Sequence, residues 1–209
     1  MGTADDVWEF WFGAPATDEA ALKKKLKRWY MGGTDEDALI RARFGAEVER
    51  ALAGELDDWA ATPRGLVALV ILLDQMPRSV FRDGPRAFAG SARAERLVVA
   101  ALDAGVEAEL SFEERQFLLM PLLHAEDVGL LERFGREVVR HVAAAPAWAQ
   151  RMLGAGTEQA DKYLEVVRRF GRFPHRNAAL GRTSTPEEVE FLVGWKDRAR
   201  PKAVAELEG

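Results

Sequence analysis

The chain has 209 residues, with 29 Lys plus Arg against 34 Asp plus Glu, which gives a formal net charge of −5. Apolar residues make up 48 % and charged residues 30 %, a balance that is typical of folded globular proteins and excludes a disordered chain. The absence of cysteine excludes a disulfide scaffold, thiolate metal sites and a cysteine nucleophile. The mildly acidic charge lacks the positive excess that binds nucleic acid.

Helical periodicity dominates the first half of the chain. It predicts helices at about residues 7–12, 18–30, 35–53, 63–76 and 91–104. Thr3 or Asp5 is expected to cap the first helix, and Gly54 to end the third. Residues 66–73 are apolar on every face, so the fourth helix is expected at the centre of the fold, with Pro77 as its end.

The second half has the same helical pattern. It predicts helices at about residues 112–120, 125–143, 147–153, 157–170 and 186–192. Ser111 with Glu114, and Thr185 with Glu188, have the spacing of capping boxes, in which a hydroxyl and a carboxylate satisfy the first amides of a helix. No segment alternates with period two. The sequence therefore predicts a single all-α domain over residues 1–209, built of stacked antiparallel helix hairpins, with residues 198–209 fraying.

The first of three dense polar segments, residues 72–82, ends the most apolar helix. Asp74 lies near the C-terminus of that helix, where a carboxylate opposes the helix dipole and loses hydration. Arg78 and Arg82 follow at i+4 and i+8 and are its natural partners. One interpretation is a buried ion pair that fastens the helix end, and the other is a pocket wall that presents arginines to an anion.

The second polar segment, residues 112–127, surrounds a proline. Pro121 is expected to kink or restart the helix and to leave a backbone carbonyl free near His124 and Glu126. His124 could act as a general base near neutral pH, or it could be a core residue that donates to that carbonyl. No metal is expected, because no His-x-x-x-His or Glu-x-x-His pair supplies two ligands on one helix.

The third polar segment, residues 168–182, is strongly basic. It contains Arg168, Arg169, Arg172, His175, Arg176 and Arg182. Like charges at this density repel unless acidic side chains or a ligand lie between them. The alternatives are an anion site for phosphate or carboxylate, and a solvated basic face with internal ion pairs.

Together these segments resemble a bacterial family known as domain of unknown function 924. The similarity lies in residues 72–78, 114–127, 170–177 and 180–182, with further likeness at 7–12 and 184–188. The resemblance covers almost the whole chain and implies an all-α, tetratricopeptide-like fold. The Trp-Leu-Gly-Tyr pattern of true tetratricopeptide repeats is missing, so peptide binding does not follow. The family brings no established activity, and no catalytic residue is carried over.

The leading hypothesis is a protein that binds a small anionic ligand in a polar pocket. The side chains expected to converge there are Asp74, Arg78, Arg115, His124, Glu126, Arg172, His175 and Arg176. One alternative is a small-molecule hydrolase, with His124 or His175 as general base and Glu126 or Asp127 orienting it. Another is a peptide-binding scaffold. No cofactor, nucleic-acid partner or membrane partner is expected, and the acidic N-terminus without a signal peptide predicts a cytoplasmic protein.

Overall fold

The computed structural model describes residues 2–195 and confirms an all-α fold, with no strand in that range. The helices in chain order are α1 (Ala4–Trp11), α2 (Glu19–Met31), α3 (Gly33–Ala53), α4 (Pro63–Val70), α5 (Met76–Val80), α6 (Ser91–Asp103), α7 (Phe112–Leu123), α8 (Val128–Ala144), α9 (Ala147–Leu153), α10 (Ala155–Phe170) and α11 (Pro186–Leu192). None of the helices within residues 2–195 is long and apolar enough to cross a membrane. The predicted fraying of residues 198–209 lies outside the described residues.

The described chain forms two compact units. The first comprises residues 2–17 and 31–121, and the second comprises residues 18–30 and 122–195. The single domain over residues 1–209 stays a prediction.

Capping residues and glycines set most helix ends, as predicted. Thr3 is the N-cap of α1 and forms a capping box with Asp6: the side chain of each residue accepts a hydrogen bond from the backbone amide of the other. Gly54 ends α3 in the left-handed conformation, at φ 89°, which a residue without a side chain adopts at no steric cost. Both predicted capping boxes, at Ser111 and at Thr185, are present.

The central helix of the first unit differs from the prediction at its C-terminal end. Residues 66–73 are buried, as expected, but Pro77 does not end the helix. Instead α4 passes into a π-helical turn, Ile71–Gln75, which leads directly into α5. Pro77 lies in the first turn of α5, a position at which proline is common in helices. The prediction was wrong because a proline is compatible with the start of a new helical segment.

Gly90 allows α6 to begin against this π-helical turn. A Cβ atom at Gly90 would lie 2.2 Å from the backbone oxygen of Leu73 and 2.9 Å from its carbonyl carbon. Residues with a side chain therefore cannot occupy this position without moving the backbone of the central helix. The glycine is required by packing and not by its own dihedral angles, which are φ −88° and ψ −10°.

The helix around Pro121 also differs from the prediction. The proline lies inside α7, which continues to Leu123 without restarting. The next helix begins at Val128 and not at residue 125, because the Asp127 side chain is its N-cap and accepts a hydrogen bond of 2.8 Å from the amide of Leu130.

In the second unit, α10 packs on α8, and small residues bring the two helices close. A Cβ atom at Gly156 would lie 2.9 Å from a methyl group of Val138. Beyond α10 the chain turns back through a short 3₁₀ turn, Pro174–Arg176, towards α11. The rings of Tyr163, Phe173 and Trp195 gather beside this turn, with centroids 4.9 Å apart for the first two.

Candidate functional site

The residues predicted to form the site are divided between the two units. Asp74, Arg78 and Arg115 belong to the first unit, whereas His124, Glu126, Arg172, His175 and Arg176 belong to the second. The convergence of all eight on one pocket stays a prediction.

Asp74 lies in the π-helical turn and is 1 % exposed. Its carboxylate accepts hydrogen bonds from Gln75 Nε2 at 2.5 Å and from Arg78 Nη2 at 3.0 Å. Arg78 Nε also donates to the backbone oxygen of Asp74 at 2.9 Å. The guanidinium therefore fastens the helix end, which is the structural interpretation of this segment. Arg82, expected as a second partner, instead forms an ion pair with Asp37.

Arg115 donates to backbone oxygens in the first unit. Its Nε bonds the carbonyl of Glu107 at 3.1 Å, and its Nη2 bonds that of Leu110 at 3.4 Å. Glu107 lies in the 3₁₀ turn Val106–Glu109 and Leu110 follows it, and the Glu107 carbonyl also accepts a hydrogen bond from the amide of Leu110. The Arg115 guanidinium therefore bonds backbone carbonyls of the segment that precedes α7.

Glu126, in the second unit, is the acceptor for the basic segment. Arg182 meets it with two parallel hydrogen bonds of 2.7 and 2.8 Å, and the amide of Phe173 donates a third at 2.7 Å. Partial burial tends to raise the pKa of Glu126, but the hydrogen bonds from Arg182 and Phe173 outweigh it, so the pKa lies below the ordinary glutamate value. Glu126 is therefore ionised at neutral pH.

Glu188 is a second carboxylate with several donors, and it is 2 % exposed. Arg172 binds it through Nε at 2.7 Å and Nη2 at 2.8 Å, and Asn177 Nδ2 donates at 3.2 Å. These bonds, together with the Thr185 amide of the capping box, lower the pKa of Glu188 to about 2. The same pairing raises the pKa of Arg172 above its usual value.

The remaining arginines of the basic segment follow the same principle. Arg168 pairs with Glu132 at 2.7 Å, and Arg169 pairs with Glu187 at 2.8 Å. Arg176 is 6 % exposed and lies over the ring of Phe173, 4.5 Å from its centroid. Carboxylates of the chain thus compensate the dense positive charge. The predicted internal ion pairs are present, and they hold the segment in place.

The two candidate general bases lie in different surroundings. His175 is exposed and stacks on Trp195, with centroids 5.5 Å apart and an interplanar angle of 16°. His124 is half-buried and lies just beyond α7. Of the two carboxylates expected to orient a histidine, Glu126 holds Arg182, and Asp127 caps α8.

A pocket that the sequence analysis missed opens between α10 and α11 and has a volume of about 460 Å³. We call it the α10–α11 pocket. It is lined by Lys162, Glu165, Val166, Arg169, Phe191 and Trp195. Its α10 residues follow the i, i+3, i+4, i+7 spacing of one helix face, a signal that was present in the sequence. The sequence carried no signal for the pairing of α10 with residues 191–195, because helical periodicity does not specify which helices meet.

The lining of this pocket combines apolar rings with positive charge. Phe191 and Trp195 are in contact, with centroids 5.0 Å apart. Lys162 is half-buried, and its side chain makes no hydrogen bond or ion pair with another residue of the described range. The formal charge of the lining is +1, from Lys162 and Arg169 against Glu165. Among residues 2–195, no group of three or more acidic, histidine or cysteine side chains could hold a metal ion.

Comparison with known proteins gives two matches and one negative result. A family model described as "Bacterial protein of unknown function (DUF924)" matches residues 7–194. The structure of a protein of unknown function from Agrobacterium tumefaciens is similar, with a TM-score of 0.73 and 30 % sequence identity, over 90 % of this chain and 96 % of that chain. No curated protein matches the chain significantly.

Proposed function

Because the chain belongs to the bacterial family DUF924, whose description assigns no activity, we propose a function from the geometry of the second unit. The protein binds a small anionic ligand with an aromatic or apolar body in the α10–α11 pocket. The anionic group meets Lys162 and Arg169, and the body of the ligand packs on Phe191 and Trp195.

The observation that carries this proposal is the position of Lys162. The ammonium group of a half-buried lysine, without an ionic partner in the described chain and in a concave site lined by aromatic rings, is a place where an anion gains more than in open solvent. Ligand pockets for small molecules have volumes of about 300–1,000 Å³, and the α10–α11 pocket, at about 460 Å³, lies in that range.

The basic segment has a supporting role in this proposal. Arg172 and Arg182 hold Glu188 and Glu126, and these ion pairs fix the chain between α10 and α11. His175 stacks on Trp195 and limits where that ring can move. The predicted ligand-binding residues Glu126, Arg172 and His175 are thus assigned to building the wall of the pocket, and the contact residues are others.

Isothermal titration calorimetry with phenyl phosphate as probe tests the proposal. The wild-type chain is expected to bind phenyl phosphate in a one-to-one complex, and inorganic phosphate more weakly, because the latter lacks the ring that packs on Phe191 and Trp195. Lys162→Gln removes the ammonium group and is expected to weaken binding about ten-fold, the effect of one charge-assisted hydrogen bond.

Lys24→Gln is the matched control, because Lys24 is an exposed lysine on α2, outside the pocket lining. It should leave the affinity for phenyl phosphate unchanged. Saturating phenyl phosphate should also stabilise the wild-type fold, by about 2.7 kcal/mol at a hundred-fold excess over the dissociation constant. Equal affinities of the Lys162→Gln and wild-type chains for phenyl phosphate would contradict the proposed site.

A further inference from the structure

The outer faces of α8 and α10 form a second concave surface of the second unit, which we call the α8–α10 groove. Its volume is about 570 Å³, and it is shallow and open, with the small residues Gly135 and Ala160 at its floor. Leu131, Leu164 and Val139 supply an apolar lining. Val139 is 58 % exposed, which is unusual for a β-branched apolar residue in the middle of a helix.

The charges along this groove are divided between its two walls. Glu132, Arg136 and Arg140 lie on α8, and Asp161 lies on α10. Glu132 pairs with Arg168 and Arg140 with Glu137, but the side chains of Arg136 and Asp161 make no hydrogen bond or ion pair with any described residue. Each wall of the groove therefore carries one charge without a partner, positive at Arg136 and negative at Asp161, and the two do not pair with each other within the chain.

This distribution is self-complementary under a two-fold rotation. A two-fold axis that runs along the groove places α8 of one copy over α10 of the other. Arg136 of each copy then faces Asp161 of the other, and Val139 of each copy is covered by the apolar lining of the opposite groove. Symmetric dimers require such a patch, in which residue i contacts residue j and residue j contacts residue i.

We infer that the α8–α10 groove is an isologous dimer interface, occupied by the same groove of a second copy of this chain. The apolar lining supplies the buried area, and the two reciprocal Arg136–Asp161 pairs set the register of the copies. Small residues at the floor let the helices of the two copies approach closely. The inference is independent of the α10–α11 pocket, which lies on other residues.

Sedimentation equilibrium of the full chain over a range of concentrations tests this interface. The wild-type chain is expected to dimerise reversibly, and Val139→Asp to be monomeric, because it buries an unpaired carboxylate in each half of the interface. Val189→Asp is the matched control. Val189 is a valine on α11, outside the groove, with 57 % exposure against 58 % for Val139, so this variant should remain dimeric.

Charge reversal gives a second test that does not depend on Val139. Arg136→Glu or Asp161→Arg alone should raise the dimer dissociation constant about ten-fold or more, because each places like charges together twice in the interface. The double variant should return it towards the wild-type value. A monomeric wild-type chain, a dimeric Val139→Asp variant, or a double variant weaker than both single variants would overturn the inference.

Discussion

Substitution of Gly90 by alanine should destabilise the first unit more than an ordinary core substitution. The new Cβ atom would lie 2.2 Å from the backbone oxygen of Leu73, more than 1 Å closer than ordinary van der Waals contact, and 2.9 Å from two further backbone atoms. Alanine tolerates the dihedral angles of this residue, so the cost comes entirely from the collision. The opposing atoms belong to the π-helical turn that carries Asp74, and no side-chain rotation can relieve the overlap.

The magnitude follows from the kind of atom that must move. Over-packing in a core typically costs about 1–3 kcal/mol, and a collision with backbone at the centre of a fold should reach about 3 kcal/mol or more. Such a loss is a large fraction of the roughly 5–15 kcal/mol that stabilises a typical domain. Gly90→Ala should therefore lower the urea midpoint clearly, with unfolding followed by far-UV circular dichroism.

Gly45→Ala is the control for this experiment. Gly45 lies inside α3, and a Cβ atom there would meet nothing within 4 Å. Replacing it should raise stability by about 0.5–1 kcal/mol, because glycine loses more backbone freedom than alanine in a helix. If Gly90→Ala and Gly45→Ala unfolded at the same urea concentration, the close packing of α6 on the π-helical turn would be refuted.

Three further predictions concern hydrogen bonds at half-buried and buried carboxylates. The pKa of Glu188 is lowered from 4.5 to about 2, so the stability that ionised Glu188 contributes is complete at neutral pH and is lost as the pH falls from about 4.5 towards 2. Glu188→Gln should therefore flatten the acid limb of a plot of melting temperature against pH. An unchanged acid limb would contradict the pairing of Glu188 with Arg172. Arg182→Met should destabilise the chain by about 1–3 kcal/mol in urea, because Glu126 loses both hydrogen bonds from the guanidinium, and a midpoint equal to wild type would count against this role. Trp8→Phe removes the 2.7 Å hydrogen bond from the indole to Glu114 and should lower the free energy of unfolding by about 1–2 kcal/mol, measured by thermal unfolding. Glu114→Gln should then destabilise the Trp8→Phe chain less than it destabilises the wild-type chain.

Local signals in the sequence were sufficient for most helix ends. The capping boxes at Ser111 and Thr185 and the glycine stop at Gly54 act within one turn of chain, so their side chains and amides are near each other in any conformation of that segment. The family was also predictable, because its motifs are long and occur in order. The all-α fold followed from periodicity alone.

The two proline positions show where local signals fail. At Pro77 the choice between ending a helix and starting a new helical segment depends on the preceding π-helical turn. That turn packs against Gly90, which is 17 positions beyond Leu73 in the sequence. At Pro121 the helix continues for two residues, and the N-cap at Asp127 decides where the next one begins. Both outcomes are set by neighbouring structure and not by the proline itself.

The candidate site was predictable in composition but not in pairing. The sequence indicated that acidic side chains or a ligand must lie among the arginines of residues 168–182, but not which acidic residues would pair with them. Glu188, which holds Arg172, was recognised only as a helix cap. The α10–α11 pocket was missed because its walls, at Lys162 and at Trp195, are 33 residues apart, and each wall alone has the pattern of an ordinary amphipathic face.

The most direct measurement is a titration with phenyl phosphate followed by NMR of the tryptophan indole N–H signals. The chain has six tryptophans, and Trp195→Phe assigns the signal of the one that lines the pocket. The Trp195 signal is expected to shift saturably, whereas the Trp8 signal, whose N–H donates to Glu114, should stay in place. A Trp195 signal that does not move, or moves no more than that of Trp8, would contradict ligand binding in the α10–α11 pocket.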